Sequence, residues 1–120
     1  MRTIYDTRVG FESNGGKKLD VDMRATVATD ELPRHQTGVA QIAGEATEEI
    51  LFSLAPARLI MLQSDQEVDV VFNGSVGPIT LQPLGDPAVA VFTLSGEITS
   101  IQVHNLGTDP ACVIYALAGE

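Results

Sequence analysis

Apolar and polar residues alternate along much of the chain at the two-residue spacing of half-buried β-strands. Residues 19–27 show the pattern most cleanly, with apolar side chains at the odd positions and Asp20, Asp22 and Arg24 between them. Comparable runs predict further strands at 48–54, 58–63, 67–73, 78–82 and 88–94. The Asn73-Gly74 pair is a strong turn signal, so residues 67–82 are predicted to form a hairpin.

The stretch from 95 to 120 predicts two more strands, joined by a short turn at residues 105–110. Its spacing is irregular at one point. Ile101 and Val103 share a face by parity, whereas Ile98 falls on the other face. The pattern therefore predicts either a β-bulge near residues 99–100 or an Ile98 side chain on the surface.

Some of the predicted strands are apolar on both faces, at residues 58–63, 88–94 and 112–117. A strand of this kind lies either inside a closed structure or under a subunit interface. A domain of 120 residues can cover few strands on both sides, so we expect a homo-oligomer. Cys112, the one cysteine, falls in such a strand and is expected to serve packing.

No segment has a convincing helical pattern, and the turns contain Gly, Pro and Asn. The prediction is an all-β fold, an antiparallel β-sandwich of about seven or eight strands with jelly-roll-like or immunoglobulin-like topology. Residues 1–18 are predicted to form an extended N-terminal arm or a first strand, and residues 19–120 a single sandwich domain. Pro33, Gly38 and Gly44 interrupt any pattern between 28 and 44, which is predicted to be a long loop.

The net charge of −9 is unevenly distributed along the chain. Residues 1–40 hold six basic and six acidic residues, whereas residues 41–120 hold Arg58 against ten acidic residues. An acidic surface repels phosphate backbones, so nucleic acid is not an expected partner. The N-terminal arm and the loop could instead contact an acidic neighbour. The candidate partner contacts are Arg2, Tyr5, Arg8, Lys17, Lys18, Arg34 and His35.

The sequence contains no recognisable catalytic or metal-binding pattern. His35 and His104 are far apart and have no second ligand at metal-binding spacing. Asp20 and Asp22 share a face of one strand, but no calcium-loop pattern completes them. We therefore expect no enzyme activity, cofactor or metal site. No run of about eighteen apolar residues occurs, so no membrane association is expected either.

Two parts of the chain resemble small virion structural proteins of tailed bacteriophages. They are residues 95–119, which include ITSIQVHNLGT and ACVIYALAG, and residues 58–73, RLIMLQSDQEVDVVFN. The similarity lies in the succession of strands and turns and involves no motif of functional residues, so it carries no site residue across. The resemblance implies a β-sandwich or jelly-roll subunit that binds its own kind and the major capsid protein or other virion proteins.

The expected function is a capsid decoration (cement) subunit that oligomerises on the shell and stabilises it. Its expected location is the virion, after assembly in the host cytoplasm. A small tail, collar or spike-base protein is the alternative within that class. A carbohydrate-binding or ligand-binding sandwich module is the alternative from another class.

Overall fold

The computed structural model describes the backbone of residues 2–12, 18–28 and 34–120, and the side chains of residues 34–120. The chain divides into two compact units, Met1–Leu32 and Pro33–Glu120. Strands, turns and irregular segments make up the described residues, which contain no helix.

The first unit is a two-stranded antiparallel hairpin. Strand β1 spans Arg2–Glu12 and β2 spans Lys18–Ala28. Their register sets Arg2 opposite Ala28 and Glu12 opposite Lys18. The alternating pattern at 19–27 thus predicts its strand correctly, and residues 2–12 are a strand. Strand β2, which was expected to begin the sandwich domain, pairs with β1 and lies in the first unit.

The second unit is a β-sandwich built from two antiparallel four-stranded sheets. Within residues 34–120 the first sheet has the strand order β3-β10-β5-β8, and the second has the order β4-β9-β6-β7. The strands are β3 (Arg34–Ile42), β4 (Thr47–Glu49), β5 (Ala57–Ser64), β6 (Val68–Phe72), β7 (Ile79–Leu81), β8 (Ala90–Ile98), β9 (Ile101–Asn105) and β10 (Ala111–Gly119). The predicted all-β class, antiparallel pairing and sandwich are confirmed.

The inner faces of the two sheets form one hydrophobic core. Ile60 and Leu62 of β5 are fully buried, as are Ile101 and Val103 of β9 in the opposite sheet. The rings of Phe72 on β6 and Phe92 on β8 stack with their centroids 5.8 Å apart. Burial of these alternating side chains from both sheets is the main force that holds the sandwich closed.

The predicted loop at 28–44 is wrong over most of its length, because residues 34–42 form β3 at the edge of the first sheet. Its sequence is largely polar and contains Gly38, so the pattern is weak. Pairing with β10 supplies the missing order and sets Gly38 opposite Tyr115. A Cβ atom at position 38 would fall against the Tyr115 ring, so any larger residue there would force that ring to move.

The predicted strand at 48–54 is also shorter than expected. Strand β4 ends at Glu49, and residues 50–54 are irregular. Ile50 and Leu54 nevertheless lie in the core, with exposed fractions of 4% and 5%. The apolar positions therefore indicate burial correctly here but not the secondary structure. The predicted hairpin at 67–82 is confirmed by the pairing of β6 with β7.

The predicted surface position of Ile98 is wrong, and the strand irregularity lies before Ile98 instead of near residues 99–100, because the register of β8 with β5 shifts between Ser95 and Ile98. The chain leaves β8 in the first sheet at Ile98 and enters β9 in the second sheet at Ile101. Ile98 and Ile101 are both buried, because the face that points to the core changes when the chain crosses between sheets. The Asn73 side chain holds this crossing. Its Oδ1 accepts a hydrogen bond from the Thr99 amide at 2.7 Å, and its Nδ2 donates to the Glu97 carbonyl at 2.8 Å.

The two C-terminal strands do not pair with each other, since β9 lies in the second sheet and β10 in the centre of the first. Asn105 organises the turn between them. Its fully buried side chain donates from Nδ2 to the carbonyls of Asp109 at 2.7 Å and Ile42 at 3.1 Å, and its Oδ1 accepts from the Gly107 amide at 3.0 Å. The turn is thereby tied to the end of β3.

Candidate functional site: an uncharged sheet face

The outer face of the first sheet is the strongest candidate for a functional surface in the part of the chain whose side chains are described. Residues on it alternate with the buried ones along β3, β10, β5 and β8. We call it the uncharged face. It consists of Thr37, Val39, Gln41, Cys112, Ile114, Ala116, Leu59, Met61, Gln63, Val91, Thr93 and Ser95.

The middle of this face is apolar and accessible to solvent. One row across the four strands contains Val39, Ile114, Gln63 and Val91 at facing positions. The exposed fractions of Val39, Ile114 and Val91 are 59%, 47% and 61%. A sheet face that is exposed to water usually carries polar side chains between the buried ones. A row in which Val39, Ile114 and Val91 are all exposed, with Gln63 between the last two, departs from that pattern.

The outer face of the second sheet has the opposite character. Its central row runs across all four strands through Thr47, His104, Asp69 and Thr80. The Thr47 hydroxyl and the His104 Nδ1 lie 2.8 Å apart, and the Thr80 hydroxyl donates to the Asp69 carboxylate. This face is polar, as expected for a sheet surface in contact with water.

Most charged side chains of the second unit lie off the uncharged face, but Asp65 borders it, since its Oδ1 accepts a hydrogen bond at 2.8 Å from the Cys112 amide. Residues 33–120 hold Arg34 and Arg58 against ten acidic residues, which gives a net charge of −8. The acidic residues occur on the second sheet, in the turns and at the ends of strands: Glu45, Glu48, Glu49, Asp65, Glu67, Asp69, Asp86, Glu97, Asp109 and Glu120.

Arg58 forms an ion-paired cluster near the C-terminus. Its guanidinium lies 3.4 Å from the Glu97 carboxylate and 3.2 Å from that of Glu120. All three side chains are substantially exposed, so the cluster contributes little to stability. One arginine faces two glutamates, so the cluster leaves a net charge of −1 at the rim of the first sheet.

The seven predicted contact residues are divided between the two units. Arg2, Tyr5 and Arg8 lie on β1, Lys18 begins β2, and Arg34 and His35 begin β3; Lys17 lies outside the described residues. Arg34 and His35 are exposed, and His35 lies at one end of the uncharged face. The role of these residues as partner contacts stays a prediction.

Sequence reasoning found part of this surface. Strands that are apolar on both faces were expected at 58–63, 88–94 and 112–117, and they supply Met61, Val91 and Ile114. Val39 was missed, because it lies in the segment predicted to be a loop. The signal that could have found it is the alternation of Ala40 and Ile42 with Val39 and Gln41.

The side chains described for residues 34–120 include no group of three or more His, Cys, Asp or Glu residues arranged to hold a metal ion. His35 and His104 lie on strands of different sheets. Cys112 is a free thiol, partly exposed, on the uncharged face.

No helix among the described residues is long and apolar enough to cross a membrane. Comparison of the chain with protein-family models, with curated proteins and with solved structures finds no match.

Proposed function

We propose that this chain is a structural subunit that assembles with copies of itself and with other proteins of a tailed-bacteriophage particle. The uncharged face is the observation that carries the proposal. It presents Val39, Val91 and Ile114 to solvent and has no charged side chain among its members. Large exposed apolar patches on soluble proteins mark surfaces that bind other proteins or ligands.

The distribution of charge supports the same proposal. Ten acidic residues give the second unit its charge of −8 and lie outside the uncharged face. A surplus of charge of one sign keeps a protein soluble and makes separate molecules of it repel one another. Two molecules that meet through an uncharged patch in such a surface experience less of this repulsion than they would elsewhere.

We further propose that the sandwich is a jelly roll. Its support is the strand order of the two sheets, β3-β10-β5-β8 and β4-β9-β6-β7. Apart from β6 and β7, strands that follow one another along the second unit lie in different sheets. An immunoglobulin sandwich has more of its consecutive strands side by side in one sheet. Eight-stranded jelly rolls occur in viral capsid proteins, and also in lectin domains and cupins.

The place in the particle that we propose is the outer surface of the capsid, as a decoration subunit. Residues 58–73 and 95–119 supply the resemblance to virion proteins, and they contribute β5, β6, β9 and β10. A decoration subunit acts through buried area and needs no reactive residues. A tail, collar or spike-base position would use the same kind of surface at another site on the particle.

Immunogold labelling of purified tailed-phage particles from the source of the sequence tests this proposal. We expect an antibody against the chain to label the whole shell and mass spectrometry to detect peptides of this chain as a component of the particle. Label confined to one end would move the subunit to the tail or collar. Particles that lack both the label and the component would refute the virion function. A monomer that binds members of a glycan array would favour the ligand-binding module instead.

A further inference from the structure

We propose that the uncharged face packs against the same face of a second copy of the chain, around a two-fold axis that passes close to Ile114 and Met61. This inference rests on the proposed function and names the surface through which copies associate. The occupant is a second copy because three properties of the face, its composition, its surroundings and its size, suit contact with itself.

Composition is the first property. In a two-fold interface the residues near the axis meet the same residues of the other copy. The centre of the uncharged face lies between β10 and β5, where Ile114, Ala116, Met61 and Gln63 are neighbours in register. None of the four is charged, so no like charges meet at the axis. Two apolar sheet faces can then pack about 10 Å apart, as the two sheets of a sandwich do.

The surroundings of the face are the second property. Two units of charge −8 repel each other, and the repulsion is weakest where the acidic side chains are furthest from the contact. The outer face of the second sheet carries Glu49, Asp69 and His104. Packing the uncharged face on that surface would bury carboxylates without partners, which is costly. Packing it on itself removes apolar surface from water on both copies.

Size is the third property. Four strands about 4.8 Å apart, each with about 3.3 Å per residue over the eight residues of β5, give a face of about 19 by 26 Å, or about 500 Å². Stable interfaces bury about 800 Å² of each partner. At about 1,000 Å² for the two copies together, the uncharged face alone falls below the usual range of stable interfaces and among the weak or transient ones. We expect a dimer with a dissociation constant in the micromolar range, which attachment of many copies to one particle would strengthen.

Sedimentation velocity of the full chain from about 1 µM to about 500 µM tests the contact. We expect reversible dimerisation of the wild-type chain. Ile114→Glu places two carboxylates face to face at the axis and should raise the dissociation constant on the order of 100-fold. Val76→Glu adds the same charge at a fully exposed position between β6 and β7 of the second sheet and should leave the dissociation constant unchanged.

A mixture of two variants gives a test that depends on the two-fold symmetry. Ile114→Glu and Ile114→Lys should each be monomeric alone, whereas an equimolar mixture should associate, because opposite charges then meet across the axis. Far-UV circular dichroism checks that both variants are folded, which is expected because Ile114 is 47% exposed. Failure of the mixture to associate would contradict the two-fold contact.

Failure of the contact and failure of the proposed function give different results. If Ile114→Glu dimerises as well as the wild-type chain, the two-fold contact is wrong, whether or not the chain labels particles. If the antibody labels no particle but the Ile114→Glu substitution abolishes dimerisation, the two-fold contact is supported and the proposed virion function is refuted.

Discussion

Replacement of Asn105 by alanine should destabilise the sandwich more than any exposed substitution on the same strand. The Asn105 side chain is fully buried and connects the β9–β10 turn to the end of β3. Alanine cannot make any of these hydrogen bonds. The carbonyls of Ile42 and Asp109 and the amide of Gly107 would then each lose a partner in the interior.

The magnitude follows from the number of bonds lost. A hydrogen bond contributes about 0.5–1.5 kcal/mol net to stability, and three good bonds therefore contribute about 3 kcal/mol. For a domain of this size, about 1 kcal/mol corresponds to a shift of about 4–8 °C in Tm. We expect Asn105→Ala to lower the free energy of unfolding by about 3 kcal/mol and Tm by about 12–24 °C.

Urea denaturation followed by far-UV circular dichroism at 25 °C measures the effect. Gln102→Ala is the matched control, because Gln102 lies on β9 with its side chain exposed and should change the free energy of unfolding by less than about 0.5 kcal/mol. Asn105→Asp should be worse than Asn105→Ala at neutral pH, since a carboxylate oxygen would then face the carbonyls that the amide now satisfies. A loss below about 1 kcal/mol for Asn105→Ala, or an aspartate variant as stable as the wild type, would refute the reasoning.

Three further predictions concern close backbone packing, the core and salt. Gly44→Ala should cost about 1–3 kcal/mol in urea denaturation, because its Cβ would fall against the Thr108 carbonyl, whereas Gly77→Ala meets nothing within 4 Å and should be neutral. Phe72→Ala should cost about 3–5 kcal/mol in the same assay, because it leaves a cavity beside Phe92 between the sheets. Raising NaCl from about 0.05 M to about 0.5 M should tighten self-association in sedimentation velocity, since salt screens repulsion between acidic copies while the contact itself is uncharged. Weaker association at high salt would point to a charged interface.

Local patterns were sufficient to predict several strands and one hairpin. The alternation at 19–27 and the Asn73-Gly74 turn each describe contacts between residues that are close in sequence. Strand β3 was missed because its order depends on β10, roughly 70 to 85 residues further along the chain. The behaviour of Ile98 was misread for a related reason. Odd and even positions identify the two faces of a strand only as long as the chain stays in one sheet. Between β8 and β9 the chain crosses from the first sheet to the second.

The sequence predicted that an apolar surface exists, but it did not predict which residues form it. Strands that are apolar on both faces indicated a covered surface, and the acidic residues beyond residue 41 indicated where charge accumulates. The sequence could not reveal that Val39, Ile114 and Val91 form one row, because their strands are brought together only by the sheet order. Five of the seven predicted contact residues belong to the first unit, whereas the uncharged face lies in the second.

Intermolecular nuclear Overhauser effects in a mixture of isotope-labelled and unlabelled chains test the central claim most directly. At a concentration where the dimer dominates, we expect cross-peaks between copies from the methyl groups of Ile114, Met61 and Val39, and none from exposed Val76. Contacts of these methyl groups with residues 2–28, or intermolecular cross-peaks confined to the second sheet, would contradict the two-fold packing of the uncharged face.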